Sequence, residues 1–95
     1  MTALQVHNII RALAPPYPSA FTYNNADQLY FTKSKLLQEE IRGVPGRVAL
    51  CRKNGLVVVA KDRGVLIERL RLEGEESERE ATEFFHLRGT TLGKT

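Results

Sequence analysis

One cysteine, Cys51, is all the thiol this chain has, so no intrachain disulfide can staple it. That scarcity fits a reducing compartment. No apolar run approaches the ~20 residues that cross a bilayer. The N-terminus also lacks the basic, apolar and small-residue order of a secretory leader. Together these absences predict a cytoplasmic location and no membrane contact. The GxGxxG, Walker and GxSxG patterns that mark nucleotide sites or an activated serine are missing. The two histidines, His7 and His86, have no cysteine or further histidine at ligand spacing, so neither a metal nor a cofactor is expected. Ninety-five residues predict one domain over 1–95. A chain this short buries roughly 60–65% of its unfolded surface, enough for one core but not for a core and a deep catalytic cleft.

Charge is present but unevenly placed. The net value is +3, yet Met1 to Leu72 carry eleven Lys/Arg against five Asp/Glu, and Glu73 to Thr95 carry three against six. A basic body with an acidic closing segment favours an anionic partner on one face, or simply a mixed solvating surface.

The hydrophobic pattern orders the chain. Thr2 and Gln5 form a capping-box pair, and Val6, Ile9, Ile10 and Leu13 recur at i, i+3, i+4 and i+7, the stripe of a short helix. Pro15 and Pro16 stop it, and Pro18 keeps the connection extended. Arg11, one turn before the break, is placed to bond the helix-end carbonyls or to meet a phosphate or a neighbouring catalytic domain. Five strand-like runs follow: AFTYN (20–24), QLYFTKSKLL (28–37), RVALCRK (47–53), LVVVAK (56–61) and GVLIERLRL (64–72). Asn54–Gly55 predicts a type I′ hairpin with both residues at positive φ. LVVVA is apolar on both faces and predicts a central, covered strand, and Glu68 interrupts a leucine parity where a bulge would fit. Ser77 and Glu80 predict a second capping box, Ala81, Phe84 and Phe85 an apolar helix face, and Gly89 its C′ residue. The expected architecture is mainly β with flanking helices: an OB-like, partly closed barrel of about five strands.

Candidate chemistry is sparse. His7 and Asn8 point about 100° apart on a helix and cannot converge on one atom, so both read as packing or surface residues. Cys51 has no partner histidine, and EGEESERE (73–80) reads as a solvated helix start. No catalytic residue is assigned. The basic residues hold more interest. Lys33 and Lys35 share a face of one strand and Arg69 and Arg71 a face of another. Arg47 is expected near the latter if the sheet curls, and Arg52, Lys53, Lys61 and Arg63 cluster at two hairpin turns. Tyr30 and Phe31 offer a stacking surface beside the lysines. With Arg11, these ten cations are the candidate nucleic-acid or phosphate-binding set. The alternative is that they only solubilise an outer face and guard its edges.

At this point the residues resemble a known family. IRALAPPYPSAF, with Arg11, Ala12, Pro18, Ala20 and Phe21, is similar to the junction opening the C-terminal domain of formyltransferases. PGRV (45–48), NGLVVVAKDRGVLIERLRLEG and FFHLRGTTLG follow in the same order. Ser19 stands where the family commonly has glycine. The family includes methionyl-tRNA and sugar-nucleotide formyltransferases. Its catalytic asparagine, histidine and aspartate belong to an N-terminal domain absent from this sequence. The resemblance implies an OB-type fold and a non-catalytic accessory domain that helps bind or position an anionic formyl acceptor, tRNA or a sugar nucleotide, for a catalytic domain in cis or in trans. The competing expectation is a structural or protein-interaction domain, packed on a catalytic partner or on a second copy, with no nucleic-acid contact. A self-contained enzyme is not expected, because no convergent set of titratable groups is visible.

Overall fold

The computed structural model describes residues 2–13, 20–24 and 27–93. Helix α1 spans Ala3–Ala12. It opens on the expected capping box, the Gln5 N–H donating to Thr2 Oγ and the Thr2 N–H to Gln5 Oε1. A second tie fixes its start: the Ala3 N–H donates to Asp62 Oδ1 over 2.8 Å. That bond to the helix's exposed donors holds the Asp62 carboxyl below its usual range. Of the predicted stripe, Ile10 is buried and Val6 half-buried against the core, while Ile9 and Leu13 stay exposed. Ala3 completes the buried face. The predicted proline stop at Pro15, Pro16 and Pro18 lies outside the described residues.

Six strands rather than five form one antiparallel sheet: β1 (Ala20–Asn24), β2 (Asp27–Leu36), β3 (Val48–Arg52), β4 (Gly55–Val59), β5 (Gly64–Leu72) and β6 (Arg79–Glu80). The order is β1-β2-β5-β4-β3, with β6 pairing the far half of β5. β4 is covered on both faces, as its sequence predicts. Leu56 joins the main core with Leu29, Phe31, Ile67, Leu70 and the helix. Val57 joins a smaller cluster with Leu37 and Leu66, flanked by Ile41.

The ladder does not close into a barrel. Residues 89–93 cross the gap between β3 and β1 instead. The Val48 N–H donates to the Thr90 carbonyl, the Gly89 N–H to the Val48 carbonyl and the Gly93 N–H to the Tyr23 carbonyl. Arg47 and Thr91 form an isolated bridge between them.

The local corrections have physical causes. The β3–β4 turn residues are Lys53 and Asn54, because Arg52 pairs Gly55. Gly55 is therefore a strand residue, and its need for glycine is close approach: a Cβ there would lie 2.2 Å from the Ile67 carbonyl oxygen. The second capping box does not form, since Arg79 and Glu80 pair with β5 as a strand. Ala81–Leu87 is 3-10, in two turns that meet at a kink at Phe84 (φ −114°), with no side-chain cap. Three residues per turn bury Ala81, Phe84 and Leu87 and leave Phe85 exposed, where an α-helical face would have buried it. Gly89 does take the C′ position at φ +86°.

Candidate functional site

Residues opposite each other in an antiparallel pair share a face, so register places the candidate side chains. Leu29 and Phe31 of β2 point to the core, as does Leu70 of β5. The outer face carries Phe21 of β1, Tyr30 of β2 and Arg71 of β5 in one row. The next row pairs Lys33 with Arg69, and the next Lys35 with Leu66. Tyr30 and Lys33 are three apart and would face opposite ways in a regular strand. The register shift at Thr32 corrects this and brings both lysines onto the Tyr30 face. A matching skip at Glu68 does the same for Arg69 and Arg71 relative to Leu66, which is the bulge the leucine parity suggested.

Lys33, Lys35, Arg69 and Arg71 thus converge on one face, and the other candidates do not. Arg47 lies opposite Val59 of β4, whose β5 partner is Gly64. Arg69 is five residues further along, ~16 Å at strand rise, so the expected proximity of Arg47 to it fails. Arg52 and Lys53 sit at one end of the meander, Lys61 and Arg63 at the other, because the two turns cap opposite ends of β4. Arg11 is exposed on α1. The Ile9 carbonyl accepts from the Leu13 N–H, and among the described residues the Arg11 guanidinium makes no hydrogen bond. Its charge instead acts on His7. Burial first and Arg11 second hold that imidazole below its ordinary pKa, while His7 Nδ1 meets Ser34 Oγ at 2.8 Å.

Ion pairing sorts the cations further. Arg52 is gripped bidentately by Glu39, which lowers the carboxyl's pKa. Arg69 donates to Glu78 over 2.7 Å and to Glu80 over 2.5 Å. Arg63 has Asp62 at 3.9 Å. Lys33, Lys35 and Arg71 have no carboxylate partner among the described residues. Arg71 Nη1 donates to the Glu75 carbonyl over 2.8 Å, and its guanidinium carbon lies 4.2 Å from the centre of the Tyr30 ring.

The aromatic companion is not the expected one. Phe31 is only 8% exposed and faces the core, whereas Phe21 is 55% exposed on the outer face. Its ring meets Tyr23 edge-on at 5.8 Å and Tyr30 tilted at 6.2 Å. The alternation of AFTYN carries the signal, since Phe21 and Tyr23 share parity, but only the hairpin register shows that they join Tyr30.

Two concavities adjoin the sheet, and Phe21 itself lines the second. One of ≈ 470 Å³ has Asp27, Glu73 and His86 on its lining, all exposed and without hydrogen bonds to one another among the described residues. No cluster of three His, Cys, Asp or Glu side chains suited to a metal occurs among those residues. The other, ≈ 320 Å³, is apolar and lies between α1, β1 and the Pro45–Gly46 turn. Among the described residues no helix is long and apolar enough to cross a membrane.

Comparison with known families decides the lineage, for the family described as "Formyl transferase, C-terminal domain" matches residues 1–87. The chain belongs to that family. Among curated relatives, methionyl-tRNA formyltransferase of Alkaliphilus oremlandii is 27% identical over 79% of this chain and 24% of its own length. The Clostridium botulinum enzyme of the same name is 29% identical over 72% of this chain and 22% of its own. The Clostridium beijerinckii enzyme is 30% identical over 73% and 22%. This formyl transferase C-terminal domain therefore spans about a quarter of the length of the relatives it matches.

Proposed function

We propose that the chain is a non-catalytic accessory domain that binds or positions an anionic formyl acceptor, tRNA or a sugar nucleotide, for a formyltransferase catalytic domain in cis or in trans. One observation carries the reading: Lys33, Lys35 and Arg71 stand together on one sheet face with no carboxylate partner among the described residues. The relatives named for methionyl-tRNA support tRNA as the acceptor class. Lysine and arginine contacts to phosphates hold a polyanion without reading its sequence, and each contact releases counterions. Binding then falls steeply as salt rises. Filter binding of the chain to tRNA at low and raised salt tests this, with a nucleoside diphosphate sugar as the second ligand. Absence of binding to either at low salt removes the reading.

A second reading, a domain that packs on a catalytic partner or a second copy, draws support from the apolar cleft. Ile9 lines it, and Leu13 and Val44 are also exposed apolar residues. Co-purification with a formyltransferase catalytic domain, abolished by Ile9→Asp, supports it over acceptor binding. A monomer that ignores that domain counts against it.

A further inference from the structure

We propose that the Phe21–Tyr30–Arg71 row is a stacking platform for unpaired bases of a single-stranded nucleic acid, with Lys33 and Lys35 holding the phosphates of the same strand. This rests on the acceptor-binding reading and names its site.

The row is built for flat ligands. Phe21 presents an exposed ring, and its neighbours brace it: Tyr23 edge-on, Tyr30 tilted. Tyr30 is itself fixed, because Gln28 Nε2 donates to its hydroxyl over 2.9 Å and Arg71 lies over its face. Arg71 is pinned by the Glu75 carbonyl, and among the described residues no carboxylate neutralises its charge. A ring cluster ordered before binding loses little entropy when a base arrives. Every base has a π-face, so such a surface tolerates any sequence.

The lysines share this face only because of the Thr32 bulge. A regular strand would have turned them to the core side, beside α1. Apolar rings next to cations that have no carboxylate partner among the described residues match a strand that offers bases and phosphates together. A duplex buries its bases in the stack and offers phosphates alone. A second copy of this chain would bring like charges together on the same face.

The test uses the 95-residue chain, with a labelled short oligoadenylate, the same oligomer annealed to oligouridylate, and inorganic polyphosphate. The oligoadenylate is expected to bind more tightly than its duplex and to quench tyrosine emission. Phe21→Ala should weaken oligoadenylate about 5- to 150-fold, the loss of one stacked base. It should leave polyphosphate binding as it was, while the melting temperature falls modestly because the ring's contacts with Tyr23 and Tyr30 are lost. Arg71→Lys, which keeps charge but not the planar group, should lower oligoadenylate affinity more than polyphosphate affinity. Oligoadenylate affinity unchanged by Phe21→Ala, or duplex bound as tightly as the single strand, overturns the platform even if tRNA and polyphosphate still bind. A dimer in sedimentation that Phe21→Ala dissolves makes the row a self-association surface and also overturns it. No binding at low salt of any of the three probes, of tRNA or of the nucleoside diphosphate sugar would instead defeat the broader acceptor-binding reading.

Discussion

Arg69 sits in the middle of the cationic face yet is held by Glu78 and Glu80 of the closing segment. Replacing both carboxylates, Glu78→Gln/Glu80→Gln, frees one guanidinium without removing a side chain from the sheet. The magnitude follows from the count of charges. Lys33, Lys35 and Arg71 can meet up to three phosphates, which on a single strand gives a salt slope of about −2. Raising salt from about 50 to about 200 mM then weakens oligoadenylate binding about 20-fold. A fourth contact steepens the slope to about −2.8, and the same change in salt costs about 50-fold. Fluorescence anisotropy over a salt series reads both slopes directly. Identical slopes for the native chain and the double variant would refute the idea that Arg69 faces the ligand. A native slope near zero would refute phosphate contact altogether.

Gly55→Ala places a Cβ 2.2 Å from the Ile67 carbonyl oxygen, so strand β4 must shift. We expect a loss of about 1–3 kcal/mol in urea unfolding, and native-like stability would deny the close approach. Leu70→Ala empties a site with no solvent exposure and should cost about 2–5 kcal/mol by the same assay; a loss under about 1 kcal/mol would mean Leu70 is not at the packed centre. His7 has a depressed pKa in the folded state, so below 6.5 the unfolded chain binds the extra proton. Thermal stability should therefore fall as pH drops from 6.5 through the folded value, and His7→Gln should flatten that part of the profile.

The elements were legible where local chemistry suffices. The Thr2–Gln5 cap, the doubly apolar β4 and the Gly89 stop are each short-range patterns, and each stands in the fold. The misread parts depend on distant partners. Arg79 and Glu80 look like the start of an α-helix until the free edge of β5 is there to pair them. Asn54–Gly55 has the composition of a type I′ turn, but the register moves the turn back by one residue. For the candidate site, the two cation pairs were visible in the alternation of their strands. Their shared face was not, since it needs a bulge in each strand. The exchange of Phe31 for Phe21 follows from the same register, which no single-strand pattern contains. The pairing that silences Arg52 and Arg69 is likewise set by tertiary placement of Glu39, Glu78 and Glu80.

The bridge made by residues 89–93 ties the far end of the chain to its first strand. During synthesis, β1 and β3 must each wait with a bare edge until that stretch has emerged from the ribosome. Shortening the chain ahead of Gly89 would leave both edges open for good, and pairing between molecules would be the natural outlet. A few backbone bonds late in the sequence thus guard the solubility of strands made long before them.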